Sequence, residues 1–203
     1  FSALVVGAIV NAFGKTVVAG FGAASRVELF AFFPAMSFGI AVSSLAGQNL
    51  GAGREDRVRD IVIWGNVLSG GITLAISAVA VGLPGILLSM FTSDPSVLRV
   101  GTEYLRIVGF SYVVFAVMFV LNGVLRGAGD TLPTLVFTII SLWVVRIPLA
   151  KVLSASSQLG TRGIWAAIAL SPLAGLLLSW AYYATGRWKS KVVAKPSEAT
   201  DPS

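Results

Sequence analysis

Three charged residues lie deep inside apolar stretches of this sequence, where a charge requires a chemical explanation. Arg26 and Glu28 share one stretch, and Arg146 lies in a later one. A charge at the centre of a membrane-spanning helix costs about 2.5 to 3.5 kcal/mol on the insertion scale. Each of these side chains therefore needs a partner or a wet cavity, and the three are the first candidates for a functional site.

Glu28 is the carboxylate that these stretches place at hydrocarbon depth. A helical rise of about 1.5 Å per residue puts it about 18 Å below the outer boundary near Thr16. The same rise puts Arg146 about 13 Å below the boundary near Ala155, close enough in depth for an ion pair between helices. The sequence leaves two roles open for Glu28: an ion-coupling carboxyl that carries a proton or a sodium ion, or one half of a permanent structural pair with Arg146.

Arg26 and Asn122 complete the set of candidate residues. Arg26 is two residues from Glu28, about 200° around a helix, so Arg26 must find its partner on another helix or in a cavity. Asn122 is a polar residue in an apolar helix, as are Asn11 and Asn66. We expect each of these amides to hydrogen-bond to a neighbouring helix, with substrate contact as the alternative.

The composition removes most enzyme chemistry. The 203 residues include no cysteine and no histidine, which excludes disulfides, thiol nucleophiles and the commonest general base and metal ligand. We expect no catalytic residues, no metal site, no cofactor and no enzymatic activity. The formal net charge of +6 does not predict nucleic-acid binding, because the basic residues stand at the ends of apolar stretches.

Five apolar stretches reach or approach the roughly 20 residues that a helix needs to cross a bilayer. They cover residues 17–45, 61–83, 108–125, 132–153 and 164–184, and a shorter one covers residues 1–13. The charged fraction of 12% is about half of what a soluble protein carries. The pattern predicts an all-α, polytopic protein embedded in a lipid bilayer, in which the shorter stretch is the end of a helix that starts before residue 1.

Basic residues at the ends of these stretches indicate the orientation in the membrane. One side collects Arg54, Arg57, Arg59, Arg126, Arg187, Lys189, Lys191 and Lys195. The other side collects Lys15, Arg99, Arg106, Lys151 and Arg162. The richer side should be cytoplasmic, so we expect a multi-pass protein of the cell membrane with a cytoplasmic C-terminus. Residues 1–188 are predicted to form one transmembrane unit, and the polar residues 189–203 a disordered cytoplasmic tail.

The two longer cytoplasmic joints are alike, with Gly-Ala-Gly at residues 51–53 and again at 127–129. We expect a glycine to end each preceding helix in the left-handed conformation. Asp130 follows the second joint and is predicted to cap the next helix. A phosphate-binding loop is the alternative, but neither joint follows a strand or continues into a nucleotide-binding pattern.

The outer joint that begins at residue 84 is longer than the others. Ser93-Asp94-Pro95 is a helix start signal, and apolar residues recur at helical spacing from residue 97 to residue 108. We expect a helix that begins in the membrane interface and leads into the next span, with a gating element as the alternative.

Short motifs near these joints make the sequence specific. They are ASRVE at 24–28, PAMSFG at 34–39, GQNLGAG at 47–53, LRGAGDT at 125–131 and GIWAA at 163–167. In this order and at these separations they closely resemble the C-terminal half of the multidrug and toxic compound extrusion (MATE) family. The resemblance covers nearly the whole chain, from the end of the family's seventh helix through its twelfth.

The resemblance implies one six-helix lobe of a twelve-helix antiporter. Two such lobes enclose a V-shaped cavity and alternate between inward-open and outward-open states, exporting amphipathic or cationic drugs and toxins in exchange for H⁺ or Na⁺. The implied partners are drug-like small molecules and the missing N-terminal lobe of the same transporter. The resemblance implies no cofactor; the ion that drives transport would be H⁺ or Na⁺.

This sequence departs from the family at two acidic positions. Some members carry an acidic residue in the seventh helix, which here falls at or before Phe1, and another in the tenth, where this sequence is apolar around Phe115. Coupling would then depend on Glu28 or on an acidic residue of the N-terminal lobe.

Other functions stay open beside this one. A lipid-linked oligosaccharide flippase of the same superfamily would need a more cationic cavity than Arg26, Arg146 and Lys151 provide. A non-transporting membrane module would act through partner proteins instead. A membrane-embedded enzyme is disfavoured, because no nucleophile with its base, and no metal cluster, converges at one depth.

Overall fold

The computed structural model of the protein describes residues 2–155 and 159–191, and every regular element in these ranges is a helix. In these ranges the α-helices are α1 (Ser2–Asn11), α2 (Lys15–Gly51), α3 (Glu55–Gly82), α4 (Pro84–Ser89), α5 (Pro95–Val108), α6 (Ser111–Gly127), α7 (Thr131–Ile139), α8 (Arg146–Ala155) and α9 (Thr161–Ala184). A π-helix (Ile140–Val145) joins α7 to α8, and a 3-10 helix (Arg187–Lys191) follows α9. The all-α prediction is confirmed.

Long apolar helices dominate the structure, as the spacing of apolar residues predicts. Within the described residues, α2, α3, α9 and the continuous stretch Thr131–Ala155 are each long and apolar enough to cross a membrane. Counted as one broken span, α5 and α6 make a fifth, because they meet at a bend of 49°. The short α1 precedes these spans.

The bend between α5 and α6 is stabilised by α3. Ser77 of α3 donates a hydrogen bond to the carbonyl oxygen of Gly109 at 2.8 Å, where the chain turns. A Cβ atom at Gly109 would lie 2.6 Å from a methyl carbon of Val81, so a side chain has no room there. At the start of α5, Asp94 accepts a hydrogen bond from the Ser96 backbone N–H at 2.8 Å. The predicted start of this helix is confirmed, and its place in the membrane interface stays a prediction.

Helices α2 and α6 approach each other at backbone distance along a series of small residues. A Cβ atom added to Gly123 would lie 2.4 Å from the carbonyl oxygen of Gly39. One added to Gly127 would lie 2.4 Å from the carbonyl oxygen of Ser43, and one added to Gly47 would lie 3.0 Å from the carbonyl oxygen of Gly127. In a bilayer, where burying apolar groups does not drive helices together, such close contact supplies the van der Waals attraction between them.

Both Gly-Ala-Gly joints end their helices in the same way. Gly53 has a φ of 71° and Gly129 a φ of 85°, in the left-handed region that glycine adopts without steric penalty. The next backbone N–H in each joint, that of Arg54 or Asp130, donates to the carbonyl oxygen five residues earlier, at 2.8 and 2.9 Å. The predicted left-handed helix ends are confirmed.

The prediction that Asp130 caps α7 is wrong. Asp130 immediately precedes the helix, but its side chain accepts no capping hydrogen bond. Its Oδ2 instead accepts a hydrogen bond from the Tyr182 hydroxyl of α9 at 2.6 Å, and the residue is buried. Asp130 therefore bonds to Tyr182 of α9 instead of to a backbone N–H of α7. This hydrogen bond connects the start of α7 to α9.

Two apolar clusters hold the helices together. The first surrounds Trp165 and contains the buried residues Val6, Val10, Ala24, Val27, Leu88, Tyr104, Leu105, Val108, Tyr112, Ile164 and Ile168. The second contains Val42, Ala46, Leu50, Val58, Val120, Val124, Leu125, Ala128 and Trp188. Both clusters draw on α2 and α6, so these two helices connect the two halves of the core.

The chain that follows α9 packs back onto the helices. Trp188 stacks on Tyr183 with ring centroids 5.3 Å apart, and Lys189 forms an ion pair with Glu55 of α3 at 2.9 Å. The boundary predicted at residue 189 therefore falls inside the 3-10 helix. Residues 192–203, which hold the rest of the predicted tail, lie outside the described residues.

We expect Gly123→Val to destabilise the protein by forcing α2 and α6 apart. The new side chain would begin 2.4 Å from a backbone oxygen, and overpacking of this kind costs about 1 to 3 kcal/mol or more. Gly70→Val is the matched control, because a Cβ atom there meets nothing within 4 Å and the change in helix propensity is the same. Melting temperature in detergent and the amount of protein in membranes measure the effect. Equal losses in both variants would contradict it.

Candidate functional site

A carboxyl and a phenol meet between α2 and α5. Glu28 of α2 accepts a hydrogen bond from the Tyr104 hydroxyl of α5, with 2.7 Å between Oη and Oε2. Tyr104 is 1% exposed and Glu28 is part-buried. A hydrogen bond to an ionised carboxylate is among the stronger kinds, so Tyr104 supplies much of the solvation that Glu28 loses on leaving water.

An aromatic cluster fixes the position of Tyr104. Its ring meets the edge of Trp165 with centroids 4.9 Å apart and that of Phe21 with centroids 5.5 Å apart. Phe21 and Trp165 stack on each other with centroids 5.5 Å apart. Because three helices contribute these rings, the hydroxyl of Tyr104 is directed at Glu28 by packing and not by local sequence.

Arg146 obtains its partner from α9. Its Nε donates a hydrogen bond to Oγ of Ser171 at 2.8 Å, and Ser171 is fully buried. The backbone oxygen of Ser171 accepts a second hydrogen bond, from the Ser141 hydroxyl at 2.6 Å. Ser171 Oγ also lies 3.3 Å from the carbonyl oxygen of Ile168, to which it donates. That carbonyl is free because Pro172, one turn later, has no N–H to donate.

Glu28 and Arg146 line the same cavity, which has a volume of about 280 Å³ and which we call the Glu28 cavity. Its other lining residues are Val6, Phe21, Ser25, Leu29, Phe32, Tyr104 and Ile168. The two side chains carry opposite formal charges. They do not form an ion pair within 4.0 Å: the ion pairs in the described part of the chain are Arg162 with Glu103 and Lys189 with Glu55.

The direct ion pair, one of the two roles that the sequence leaves open for Glu28, is not formed, and the ion-coupling role stays a prediction. Both groups line the Glu28 cavity, but their charged atoms are more than 4.0 Å apart. Each charge has a hydroxyl partner of its own, Tyr104 for Glu28 and Ser171 for Arg146. Both charged residues line the Glu28 cavity.

Arg26 lies outside the Glu28 cavity. It is exposed, and its guanidinium carbon is 5.9 Å from the centroid of the Phe91 ring, within range of a cation–π contact. The predicted separation of Arg26 from Glu28 around α2 is confirmed. Its contact is with the segment between α4 and α5 and not with Glu28, as the sequence predicts, and a role for Arg26 in a cavity or an ion pair stays a prediction.

Asn122 makes the expected hydrogen bond to a neighbouring helix. The Ser179 hydroxyl of α9 donates to Asn122 Oδ1 at 2.8 Å, and both residues are buried. The same expectation is wrong for Asn66, whose side-chain amide donates to the carbonyl oxygen of Val62 in its own helix. Asn11 is exposed at the end of α1.

A second cavity of about 470 Å³ lies between α2, α6, α7 and the π-helix, and we call it the Asn122 cavity. Its lining residues are Phe32, Phe115, Met118, Phe119, Asn122, Arg126, Thr131, Thr134, Leu135, Thr138, Ser141 and Leu142. Phe32 lines both cavities and also a void of about 10 Å³ beside Glu28, Tyr112 and Phe115. Aromatic rings therefore separate the Glu28 cavity from the Asn122 cavity.

Sequence reasoning does not find Tyr104, Ser171 or Ser179. Tyr104 lies on the apolar face of α5, where an aromatic residue is expected to be core, and serines in apolar helices carry no distinguishing pattern. The one available signal is indirect. A charge at hydrocarbon depth requires a partner, so hydroxyls at the same depth on other helices are candidates.

The site offers binding groups in place of catalytic ones. The Glu28 cavity has a carboxyl, a phenol, a guanidinium and the Ser25 hydroxyl on its walls. Among the described residues, no group of three or more His, Cys, Asp or Glu side chains could hold a metal ion. These groups can bind a proton or a small cation at Glu28 and orient a polar ligand beside it.

The sequence has clear relatives. The MatE family model matches residues 1–152. The probable multidrug resistance protein YpnP of Bacillus subtilis (strain 168) is 38% identical over 182 residues, covering 90% of this chain and 40% of that relative. The probable multidrug resistance protein NorM of Thermotoga maritima is 29% identical over 180 residues, covering 89% of this chain and 39% of the relative. The chain thus spans about two fifths of the length of these curated relatives.

The fold is also similar to solved structures. One is described as the outward-facing conformation of a multidrug resistance MATE family transporter of the MOP superfamily. The TM-score is 0.83 at 20% identity, and the alignment covers 100% of this chain and 44% of the other. At this identity the likeness establishes the fold, and it corresponds to one lobe of such a transporter. These relatives and neighbours are named as resistance proteins and transporters, not as enzymes.

Double-mutant cycles should distinguish the two possible partners of Glu28. We expect the cycle of Glu28→Gln with Tyr104→Phe to give a coupling energy of about 1.5 to 3 kcal/mol, typical of a hydrogen bond to a charged group. The cycle of Glu28→Gln with Arg146→Gln should give less than half of that value, because these two groups do not touch. Equilibrium unfolding of the purified protein in detergent measures both cycles. A larger coupling energy with Arg146 than with Tyr104 would instead indicate a direct ion pair between Glu28 and Arg146.

Proposed function

This chain belongs to the MatE family, and from that premise we propose that it is the C-terminal lobe of a secondary antiporter that exports amphipathic or cationic drugs and toxins in exchange for H⁺ or Na⁺. Its relatives are named multidrug resistance proteins, and it spans about two fifths of their length. The remainder of the transporter would supply the N-terminal lobe, because alternating access moves one lobe against another around a central site. The partners are then that lobe, the bilayer and drug-like small molecules.

Glu28 is the residue to which we assign ion coupling. The observation that carries this assignment is that its carboxyl lines a cavity whose other lining residues include no carboxylate and one cation, Arg146. A proton or Na⁺ that binds Glu28 would compete with the Tyr104 hydrogen bond and with a cationic substrate for the same oxygens. Such competition links ion entry to substrate release, which is what an antiporter requires.

We expect Glu28→Gln to reduce ion-coupled efflux in the full-length transporter to near the background rate, because the amide keeps the size of the side chain but cannot titrate. Ethidium transport in proteoliposomes under an imposed H⁺ or Na⁺ gradient measures the loss. Glu103→Gln is the matched control, since Glu103 forms an ion pair with Arg162 at the start of α9 and lies outside both cavities. Wild-type transport by Glu28→Gln would refute the coupling role. Loss of that variant from the membrane would assign Glu28 a structural role instead.

A flippase for lipid-linked oligosaccharides is less well supported. Its pyrophosphate substrate requires several cations around one cavity. Of the three cations expected from the sequence, Arg26 lies outside the Glu28 cavity and Lys151 is exposed, while Arg146 shares the cavity with Glu28. The arrangement around Glu28 fits a small cation better than a pyrophosphate.

The chain is a multi-pass membrane protein, and we propose that it lies in the cell membrane with its C-terminus in the cytoplasm. Ser93 and Ser190 are exposed at opposite ends of the helices, and the chain has no native cysteine. In a cysteine-free background we expect Ser93→Cys to react with an impermeant maleimide added to intact cells. Ser190→Cys should react only after the cells are opened. Labelling of position 190 in intact cells would reverse the orientation.

A further inference from the structure

Helices α2 and α3 border an open groove, which we call the α2–α3 groove. It has a volume of about 460 Å³, and it shares no lining residue with the Glu28 cavity or the Asn122 cavity. On each helix the lining residues recur at helical spacing, so each helix contributes one face. They are Phe38, Ala41, Val42, Leu45 and Asn49 of α2 and Arg57, Asp60, Ile61, Trp64, Gly65 and Leu68 of α3.

The polar lining residues lie together at one end of this groove. Asn49 is in the last turn of α2, and Arg57 and Asp60 are in the first two turns of α3. A Cβ atom added to Gly65 would lie 2.8 Å from a methyl carbon of Val42, which fixes the register of the two helices. Because the chain reverses direction between α2 and α3, Asn49 lies level with the start of α3. Every other lining residue is apolar or glycine.

The two charges at this end are not paired within the described part of the chain. Arg57 and Asp60 are exposed, and neither makes an ion pair or a side-chain hydrogen bond with a described residue. The Asn49 amide donates to the carbonyl oxygen of Leu45 at 2.8 Å, which leaves its Oδ1 to accept from another group. The end of the groove therefore presents a guanidinium that donates beside a carboxylate and an amide oxygen that accept.

Beyond this end the groove is apolar and lies at membrane depth. Leu45, Trp64 and Leu68 are 47%, 62% and 51% exposed. A rise of about 1.5 Å per residue puts Leu68 about 12 Å further along α3 than Asp60. Both helices are long and apolar enough to cross a membrane, so this part of the groove lies among lipid chains. Trp64, one turn from the charges, has the interfacial position in which tryptophan is enriched.

We propose that the α2–α3 groove binds phosphatidylethanolamine from the surrounding bilayer. The lipid phosphate would accept hydrogen bonds from the Arg57 guanidinium, and the ammonium would donate to the Asp60 carboxylate and to Asn49 Oδ1. One acyl chain would pack along Leu45 and Leu68. The inference goes beyond the export function, because the groove is separate from both cavities.

The pairing of charges selects this headgroup among common phospholipids. Two carbon atoms separate the ammonium of phosphatidylethanolamine from its phosphate, and residues one helical turn apart, such as Arg57 and Asp60, have Cβ atoms about 5 to 6 Å apart. One headgroup can therefore meet both charges. Phosphatidylglycerol has no cation for Asp60, and the quaternary ammonium of phosphatidylcholine has no N–H to donate.

The test uses lipids with the same brominated acyl chains and these three headgroups. The full-length transporter, free of cysteine except for a bimane label on Val67→Cys, is reconstituted with mixtures of brominated and plain lipid. Val67 is exposed on α3 beside the groove and does not line it. Bromine quenches the label on contact, so quenching against lipid fraction gives the relative affinity for each headgroup. Phosphatidylethanolamine should bind about tenfold more tightly than the other two, because it alone satisfies both charges.

Two variants with matched controls separate headgroup recognition from general effects of charge. Asp60→Asn should reverse the preference in favour of phosphatidylglycerol, because the remaining cation matches an anionic headgroup. Arg57→Gln should weaken phosphatidylethanolamine about tenfold, because its phosphate loses a charge-assisted partner. Asp56→Asn and Arg59→Gln remove the same charges from exposed residues of α3 outside the groove and should leave the preference unchanged.

A fourth variant tests the apolar part of the groove. Ala41 is exposed on the wall that α2 provides, so Ala41→Phe would fill the space for an acyl chain without burying the new ring in the protein. It should lower quenching by all three brominated lipids. Unchanged quenching in this variant would show that the label reports lipid outside the groove, and the proposal would fail.

Other outcomes also decide the proposal. Equal affinity for the three headgroups in wild type, or equal changes in the control and groove variants, would overturn the site. Absence of quenching with every lipid would show that another part of the transporter covers the groove, which also overturns it. The expected preference in a protein that exports no drug would support the lipid site and count only against the export function.

Discussion

The contact between the backbones of α2 and α6 is the constraint on which the rest of the lobe depends. Gly39 and Gly123 meet with no space for a Cβ atom, and Ser43 and Gly127 repeat the contact one turn further on. Residues that line the two cavities stand on these same two helices, Glu28 and Phe32 on α2 and Asn122 and Arg126 on α6. Because the helices approach at backbone distance, these groups lie close together, and the Phe32 ring lines both cavities.

Helix α9 has a complementary role, since it supplies the small polar groups that the candidate residues need. Ser171 accepts from Arg146, Ser179 donates to Asn122 and Tyr182 donates to Asp130. These contacts lie along one helix at intervals of eight and three residues, which places them on one face or close to it. A helix that is apolar by composition thus provides, at three depths, the hydroxyls that make buried polar groups tolerable.

The sequence predicts those features that depend on a run of residues or on one local rule. Apolar length predicts the spans, and glycine after a helix predicts the left-handed ends at Gly53 and Gly129. It does not predict features that depend on where another helix lies. Asp130 accepts a hydrogen bond from Tyr182 and not from its own helix, and Glu28 and Arg146 line one cavity without forming an ion pair. Arg26 and Glu28 look equally anomalous in sequence, and only the packing of α5 and α9 shows that one of them lines a cavity.

The π-helix has a consequence for the register of the eleventh span expected of the family. Thr134, Thr138 and Ser141 follow the α-helical spacing of four and three residues and all line the Asn122 cavity. In an uninterrupted α-helix the next residue on that face would be Val145, four residues after Ser141. A π-turn spans five residues, so Arg146 and not Val145 follows Ser141 in the contact with α9: Ser141 and Arg146 both bond to Ser171, and Arg146 lines the Glu28 cavity. The single π-helix therefore brings Arg146, and not Val145, to Ser171.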